Sequence, residues 1–591
     1  MIRNRKWICV WALLLAIALC SGGCESVGGA EQKETSSDQQ EKAVEKEITD
    51  IDEQHLRDRD ALYANEDDTS VVTMYLTVQK GNSSENTNHT WEEINTYSAY
   101  DYDAMGVERY QAAALLQVGD EKGPSSGEVG YGETTPNATV QVRGQTSSRN
   151  QQKSYKIELK KNKGNWRGQR TINLNKHQTD GLRFRNKLAY DLIEGIPQMM
   201  GLRTQFVHLY VKDESVKEGG VFRDYGLYTQ VEQLNKTGLR AHGLDSNGQL
   251  YKINFFEFYR YEEVIMPEDD PKFDPKKFEE LLEIKGNHDH TKLIEMLEAV
   301  NDNSQPIEKV LEQYFDRENL AWWMAFQILT GNVDTQSRNM YLYSPQNGEK
   351  WYFISWDSDA SFMNTEYKLT GFVGKGSWES GISNYWGNVL FQRCLKSEAF
   401  RKTLDEAIQE LRTYLSEERL TAMIADYKKV TTPFVTSMPD NQYENLTADM
   451  YEQVAAAVPK EVEENYRLYL ESLEKPMPFF IGAPQNTDGT LHLVWDGAYD
   501  FDAEDITYTV EVAKDCLFQE VIWKTEHTVL PEANLAMPEA GQYFVRVRAV
   551  NESGETQDAF DYYVTDEGKQ FGTKCFYVRE NGTIEEDVYE E

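Results

Sequence analysis

A chain of 591 residues, 40% hydrophobic and 12% aromatic, is long enough for about three domains with sizeable cores, which excludes an intrinsically disordered protein. Its net charge of −38 repels nucleic acid and anionic lipid headgroups, so no nucleic-acid partner is expected. After residue 24 the cysteines are Cys394, Cys516 and Cys575, a sparse odd set that excludes a disulfide framework and leaves stability to the cores.

The chain opens with Arg3, Arg5 and Lys6, an apolar run of 14 residues from Trp7 to Cys20, and then Ser21, Gly22 and Gly23. This is the grammar of an export signal over residues 1–24, with an apolar run too short to span a bilayer. Cys24, directly after two glycines, resembles the lipidated cysteine of a bacterial lipoprotein signal. Ser21 stands where such signals usually carry Leu, so a plain secretory signal is the alternative. The lipoprotein reading implies an extracytoplasmic protein held to the membrane at the bacterial cell surface by an N-terminal lipid. No later segment has 18 uninterrupted apolar residues, so no transmembrane helix is expected. Residues 25–68, rich in Glu, Gln, Lys, Ser and Asp, read as a flexible tether.

Order is expected from Thr69, where SVVTMYLTVQ reads as a strand. ATVQVRG alternates Val140 and Val142 with polar residues, and KSYKIELK alternates Tyr155, Ile157 and Leu159 with Lys156, Glu158 and Lys160. Between these strands RGQTSSRNQQ presents Arg143, Gly144, Ser147 and Ser148 in a turn that can aim backbone N–H groups at phosphate oxygens. From Arg143 to Lys187, 13 Lys and Arg stand against two acids, Glu158 and Asp180, a local charge of +11 in an acidic chain. Such an island reads as a site for a compact anion, with a solvated basic face as the alternative. Lys153 and Lys156 are read as sharing one face of their strand. A helix over GLRFRNKLAYDLIEGI and the strands TQFVHLYVK and DYGLYTQVE complete an α+β lobe.

From Asp274 the pattern turns helical: Asp274 and Pro275 open one helix, and Asp316 and Gly331 bound RENLAWWMAFQILT. Helices resume around 387–475. From Pro478 the short alternating strands TLHLVWD, ITYTVEVAK and QYFVRVRAVNESG predict an all-β sandwich over 478–565. Residues 566–591, with six acids in the last twelve, read as an acidic tail.

The sharpest constellation is GNVDTQSRNMYLYSPQNGEKWYFISWDSD, residues 331–359. A helix ends, a loop presents Asp334 and Asn339 five positions apart, a hairpin follows, and Asp357 and Asp359 come directly after it. Phosphoryl transfer needs a carboxylate to orient the attacking hydroxyl, oxygen ligands for Mg²⁺ and a cation on the phosphates, and helix, Asp-x-x-x-x-Asn loop, hairpin, Asp is the order in which protein kinases supply the carboxylate and the metal ligands. An isolated Asp-x-x-x-x-Asn is as readily a pair of turn caps; the basic segment upstream and the α+β-then-helical order supply the context.

On RGQTSSRNQQKSYKIEL, GLRFRNKLAYDL, GLYTQVEQLNK and the closing WDSD, residues 69–475 resemble the CotH (spore coat protein H) kinase family, and Trp495 with YFVRVRAVNESG resembles a fibronectin type III domain. The resemblance implies an atypical two-lobed kinase-like fold followed by the sandwich, using ATP and Mg²⁺ to phosphorylate hydroxyl groups of surface or secreted proteins. It implies Asp334 as the catalytic residue, Asn339 and Asp357 as metal ligands with Asp359 sharing the metal, and Lys153 ahead of Lys156 on phosphate. Asn332 and Val333 replace the usual His-Arg before the catalytic Asp, and Ser358 and Asp359 replace the usual Phe-Gly after Asp357. Glu232 stands either in an adenine hinge or at a plain strand end. Asp191 or Glu194 is the lysine's acidic partner or ordinary helix surface, and His288, Asp289 and His290 form a metal site or a helix cap. Two rival functions remain: a catalytically silent adhesin built on the same fold, and a nucleotide enzyme that transfers another group such as AMP.

Overall fold

The computed structural model describes residues 55–587 apart from 65–66, 218, 372–374 and 567; the expected signal peptide, Cys24 and most of the tether lie outside the described residues. Mixed helices and strands in several sheets fit the expected α+β class.

The alternating segments form β1 (Val71–Gln79), β2 (Ala112–Asp120), β3 (Gly123–Pro124), β4 (Ala138–Arg143), β5 (Ser154–Leu159), β6 (Thr171–Asn175), β7 (Thr204–Glu214) and β8 (Arg223–Glu232), in the order β1-β7-β8-β6-β5-β4-β2-β3. β1 runs parallel to β7 and also pairs antiparallel with β2, so seven strands close on themselves. Every second residue points into the enclosed core, including Met74, Leu76, Val140, Val142, Tyr155, Ile157 and Leu174, and Trp91 of helix Trp91–Thr96 packs on it. Burying each such side chain contributes roughly 1.5–3 kcal/mol. The same period of two turns Gln141 and Arg143 outward, and register pairs Gln141 with Lys156. Lys153 and Lys156, three residues apart, therefore cannot share a face, which corrects the reading from sequence.

A second sheet has the order β10-β9-β11-β12, with β9 Gln249–Ile253, β10 Leu282–Ile284, β11 Met340–Ser344 and β12 Tyr352–Ser355. Its register sets Glu283, Lys252 and Tyr341 side by side on neighbouring strands. Helix Arg317–Thr330 runs through the main core. Asp316 caps it by accepting the Glu318 and Asn319 N–H groups, and Gly331 ends it at φ 67°. Asp274 likewise accepts the Lys276 N–H ahead of Pro275.

Beyond helix Ala448–Glu474 the chain forms β13 (Gln485–Thr487), β14 (Thr490–Val494), β15 (Thr507–Ala513), β16 (Val521–Thr528), β17 (Glu532–Ala536), β18 (Gly541–Val550), β19 (Thr556–Asp558), β20 (Tyr562–Thr565), β21 (Gly568–Phe571), β22 (Thr573–Val578) and β23 (Ile584–Glu586). The sheet β13-β14-β17 contributes Leu491, Leu493 and Leu535, and the sheet containing β15, β18 and β22 contributes Val510, Val545 and Phe576, to one apolar cluster. Because β22 pairs with β18 and β23 with β22, residues 573–586 belong to this unit, and 568–571 pair with β20, so neither stretch is an acidic tail. Nor is the unit separate from what precedes it: Phe560 and Met477 are buried in the main core.

The tether also ends earlier than its composition suggests. Leu56 is buried in the main core, and Asp58 contacts His242 Nδ1 at 2.6 Å. Glu232 contacts His242 Nε2 at 3.0 Å. Held between two carboxylates, and despite burial that disfavours its charge, His242 has its pKa raised to about 9. The group is raised above its unfolded value of about 6.5, so its contribution is complete below that pH and is lost as pH rises through about 9. Unfolding titrations are expected to show the parent losing on the order of 3 kcal/mol across this window, and His242→Gln losing little. Equal pH slopes for the two proteins would show that the triad is not protonated in the fold.

Candidate functional site

Asp334 is exposed in the loop that follows Gly331. Asn339 adopts φ 58°, a left-handed backbone that Asn tolerates, and its Nδ2 donates to Asp334 O at 3.0 Å and Oδ2 at 2.8 Å. The Asn339 amide thus holds the carboxylate in place and leaves its own Oδ1 as a possible cation ligand. The Trp356 N–H donates to Asn339 O at 3.1 Å, which ties the loop to the segment carrying Asp357 and Asp359.

That segment is held from the other side by helix Arg185–Ile193, within GLRFRNKLAYDL. The Asp357 N–H donates to the Tyr190 hydroxyl at 2.9 Å, and the Ser358 N–H to Asn186 Oδ1 at 3.1 Å. His177 Nδ1 lies 3.6 Å from Asp359 Oδ2. Desolvation of the half-buried carboxylate, then the Asp359 charge, raise Asp357 to about 6 against the opposing pull of His177, Arg143 and Lys252.

The outer wall of the closed sheet faces β9-β10-β11 across this cleft. Arg143 and Lys252 both stand 5.8 Å from the Trp356 ring, and both feel the Asp357 charge. Lys252 lies 3.9 Å from Glu283, and Lys156 on the opposite wall also acts on Glu283. Arg143 and Lys252 therefore flank one cleft together with Asp357, while Lys156, 3.3 Å from Glu158 on its own strand, stands on the same wall as Arg143 towards Glu283. The sequence reading missed Lys252, Trp356 and His177; only cross-strand register distinguishes Lys252 from the chain's many other lysines.

Other expected members go elsewhere. Lys153 donates from Nζ to Ser148 O at 2.6 Å, away from the wall that carries Lys156. Gly144 has φ 90° and an added Cβ would meet Ser147 Oγ at 2.0 Å, so the turn is tight. Ser148 is buried, with its hydroxyl donating to Gln145 O and accepting the Ala99 N–H, so it shapes the turn and is not directed at a ligand. Glu232 is fully buried between Arg203 (2.7 Å) and His242, and despite burial these cations lower it to about 2; its carboxylate is a structural partner, not a hinge contact. Asp191 pairs with Lys187 of its own helix at 2.8 Å, not with a strand lysine. His290 stacks on Phe278 and meets the Tyr251 hydroxyl at 2.8 Å, while Asp289 accepts the Thr291 N–H, so this group neither holds a metal nor caps through histidine.

Lys176 pairs with Asp440 at 2.6 Å, Arg183 with Glu444 at 2.6 Å, and Arg185 with Asp180 and with Glu366 at 2.7 Å, all buried or nearly so. Most of these cations join segments of the fold, and Arg143 and Lys156 are the island's members at the cleft.

Among the described residues no group of three or more His, Cys, Asp and Glu is placed to hold a metal. The donor set at the loop is different: Asp357, Asp359 and the Asn339 amide are hard oxygen donors, and a divalent cation held by them would offset the desolvation and the Asp359 charge that raise Asp357. These residues fit Mg²⁺.

The family described as CotH kinase protein matches residues 140–469. No curated protein matches the chain. Among solved structures, the twitchin kinase region from C. elegans (Fn31-NL-kin-CRD-Ig26) is 18% identical with a TM-score of 0.13, over 16% of this chain and 20% of that chain. At that level the likeness carries no argument about fold or function.

Proposed function

The chain belongs to the CotH kinase family, and from that premise we propose that it is an extracytoplasmic kinase that transfers the γ-phosphoryl of ATP to hydroxyl side chains of surface proteins. The observation that carries this reading is the meeting of the Asp334–Asn339 loop, the Asp357–Asp359 pair and the cations Arg143, Lys156 and Lys252 around one cleft. In this reading the closed sheet and the helical part are the two lobes of a reduced kinase fold. The strands beyond residue 478 are a fibronectin type III-like sandwich, supported by two sheets sharing one core.

Asn339 Oδ1, Asp357 and Asp359 would hold Mg²⁺, and Mg·ATP supplies the phosphoryl group and offsets its charge when bound. Asp334, exposed beside them, accepts the proton of the acceptor hydroxyl while Asn339 fixes its carboxylate. Tyr190 and Asn186 keep the carboxylate segment in position through its backbone. Arg143, Lys156 and Lys252 supply positive charge for the phosphates.

Lys156→Ala should weaken Mg·ATP binding by about 1.5–3 kcal/mol, and Lys153→Ala by much less, because Lys156 faces Glu283 across the cleft and its exposed pair with Glu158 is weak, whereas Lys153 is turned to Ser148 O. Calorimetric titration ranks the two, and the reverse order would move the phosphates to the Ser148 turn. Anchoring follows from the lipoprotein-type signal at Cys24. Mass spectrometry of the membrane-extracted protein should find diacylglycerol on that residue, and its absence would leave a plain secretory signal.

A further inference from the structure

Loop 332–336, which carries Asp334, is held by three side chains from a single segment. Asn384 Nδ2 donates to Val333 O at 2.9 Å, the Tyr385 hydroxyl meets Thr335 Oγ1 at 3.1 Å, and Asn388 Nδ2 donates to Gln336 O at 2.9 Å. All three are buried. They bracket Asp334 on both sides, so the pose of the carboxylate depends on where segment 375–388 lies.

That segment is clamped at two places. Gly381, at φ 53°, approaches helix Ala448–Glu474 so closely that an added Cβ would meet Ser472 Oγ at 2.2 Å, and the Ile382 N–H donates to that hydroxyl at 3.1 Å. The other clamp comes from the C-terminal strands, beyond the region matched by the family. Trp378 is 6% exposed, with the Phe560 and Phe571 rings at 5.1 and 6.0 Å. Ser377 Oγ accepts from Gln557 Nε2 at 2.8 Å and from the Asp558 N–H at 3.3 Å. Trp386 is covered in the same way by Tyr499 and Phe501.

We propose that the C-terminal strands fix the Asp334 loop through segment 375–388, which makes Trp378 and Phe560 positioning residues for transfer. The unit is thus a working part of the catalytic assembly, not a spacer. The activity arm of the test rests on the kinase reading, and the structural arm does not.

In the full chain, Phe560→Ala should raise hydrogen exchange of residues 331–340 several-fold relative to the closed-sheet strands. It should also lower kcat by about tenfold while KM for ATP changes much less, because Asp357, Asp359, Arg143 and Lys252 of the nucleotide cleft lie on other elements and Asn339 is tied to that side by the Trp356 N–H. Phe560→Leu, which keeps apolar volume against Trp378, should restore most of both. Ser377→Ala leaves the aromatic packing intact and should give a smaller rise in the same peptide. Should Phe560→Ala expose Trp378 by fluorescence yet leave exchange at 331–340 and kcat as in the parent, the proposal is overturned. If that variant unfolds globally, Ser377→Ala decides, and unchanged loop exchange there overturns the proposal as well. A parent that transfers nothing sinks the kinase reading alone, and the exchange result still judges the positioning role.

Discussion

Asp334→Asn is expected to leave Mg·ATP affinity within about twofold of the parent while phosphoryl transfer falls by roughly 10² or more. The substitution preserves size and keeps an oxygen for the Asn339 Nδ2 contact at 2.8 Å. The Arg338 guanidinium is 3.5 Å from the carboxylate and partly exposed, so losing that pair costs at most about 1 kcal/mol. What the variant lacks is the carboxylate that takes the acceptor's proton. Affinity measured by titration and transfer measured by mass spectrometry separate the two effects. Transfer as fast as the parent's would show that Asp334 is not the catalytic residue, whatever else the protein does.

The second large effect is expected at Asp357. The residue has φ 52°, a left-handed backbone in which Ala is strained, so Asp357→Asn tests the carboxylate without disturbing the chain path. The contacts that hold the segment run through the Asp357 and Ser358 N–H groups and survive the change. Losing a charged oxygen ligand should lower ATP affinity in the presence of Mg²⁺ by about tenfold or more, with transfer falling at least as far. Without Mg²⁺ the sign reverses: one negative charge fewer beside Arg143 and Lys252 should leave ATP binding unchanged or stronger. An equal loss with and without Mg²⁺ would mean that Asp357 shapes the cleft and does not hold the metal.

Local signals in the sequence translate directly into structure. Asp316 and Gly331 bound their helix, Asp274 and Pro275 start theirs, and the alternation in β4 and β5 fixes which side chains enter the core. The Asp334 loop, its hairpin and the Asp357–Asp359 pair were legible for the same reason: all lie within 331–359. What sequence could not supply depends on distant partners. Closure of the first sheet needs β1 to meet both β2 and β7, and no local pattern encodes that pairing. The basic island looked like an anion site because its acids, Asp440, Glu444 and Glu366, lie far downstream. Lys252 entered the cleft unannounced because only register sets it beside Tyr341 and Glu283. Residues 566–591 read as tail from their charge, yet β22 lies between β18 and β23 in a sheet, with Phe576 and Val578 in the sandwich core and Cys575 in a second apolar cluster on the opposite face.

Phosphoryl transfer from ATP to protein hydroxyls is read out by intact mass with modification-site mapping after the purified protein is incubated with Mg·ATP and extracted surface proteins. Phosphoryl additions are expected on Ser, Thr or Tyr, of the protein itself or of an acceptor, that require Mg²⁺ and vanish with Asp334→Asn. Adducts with the mass of AMP would mean a different transferred group, and no modification together with no Mg-dependent ATP affinity would contradict the kinase reading outright.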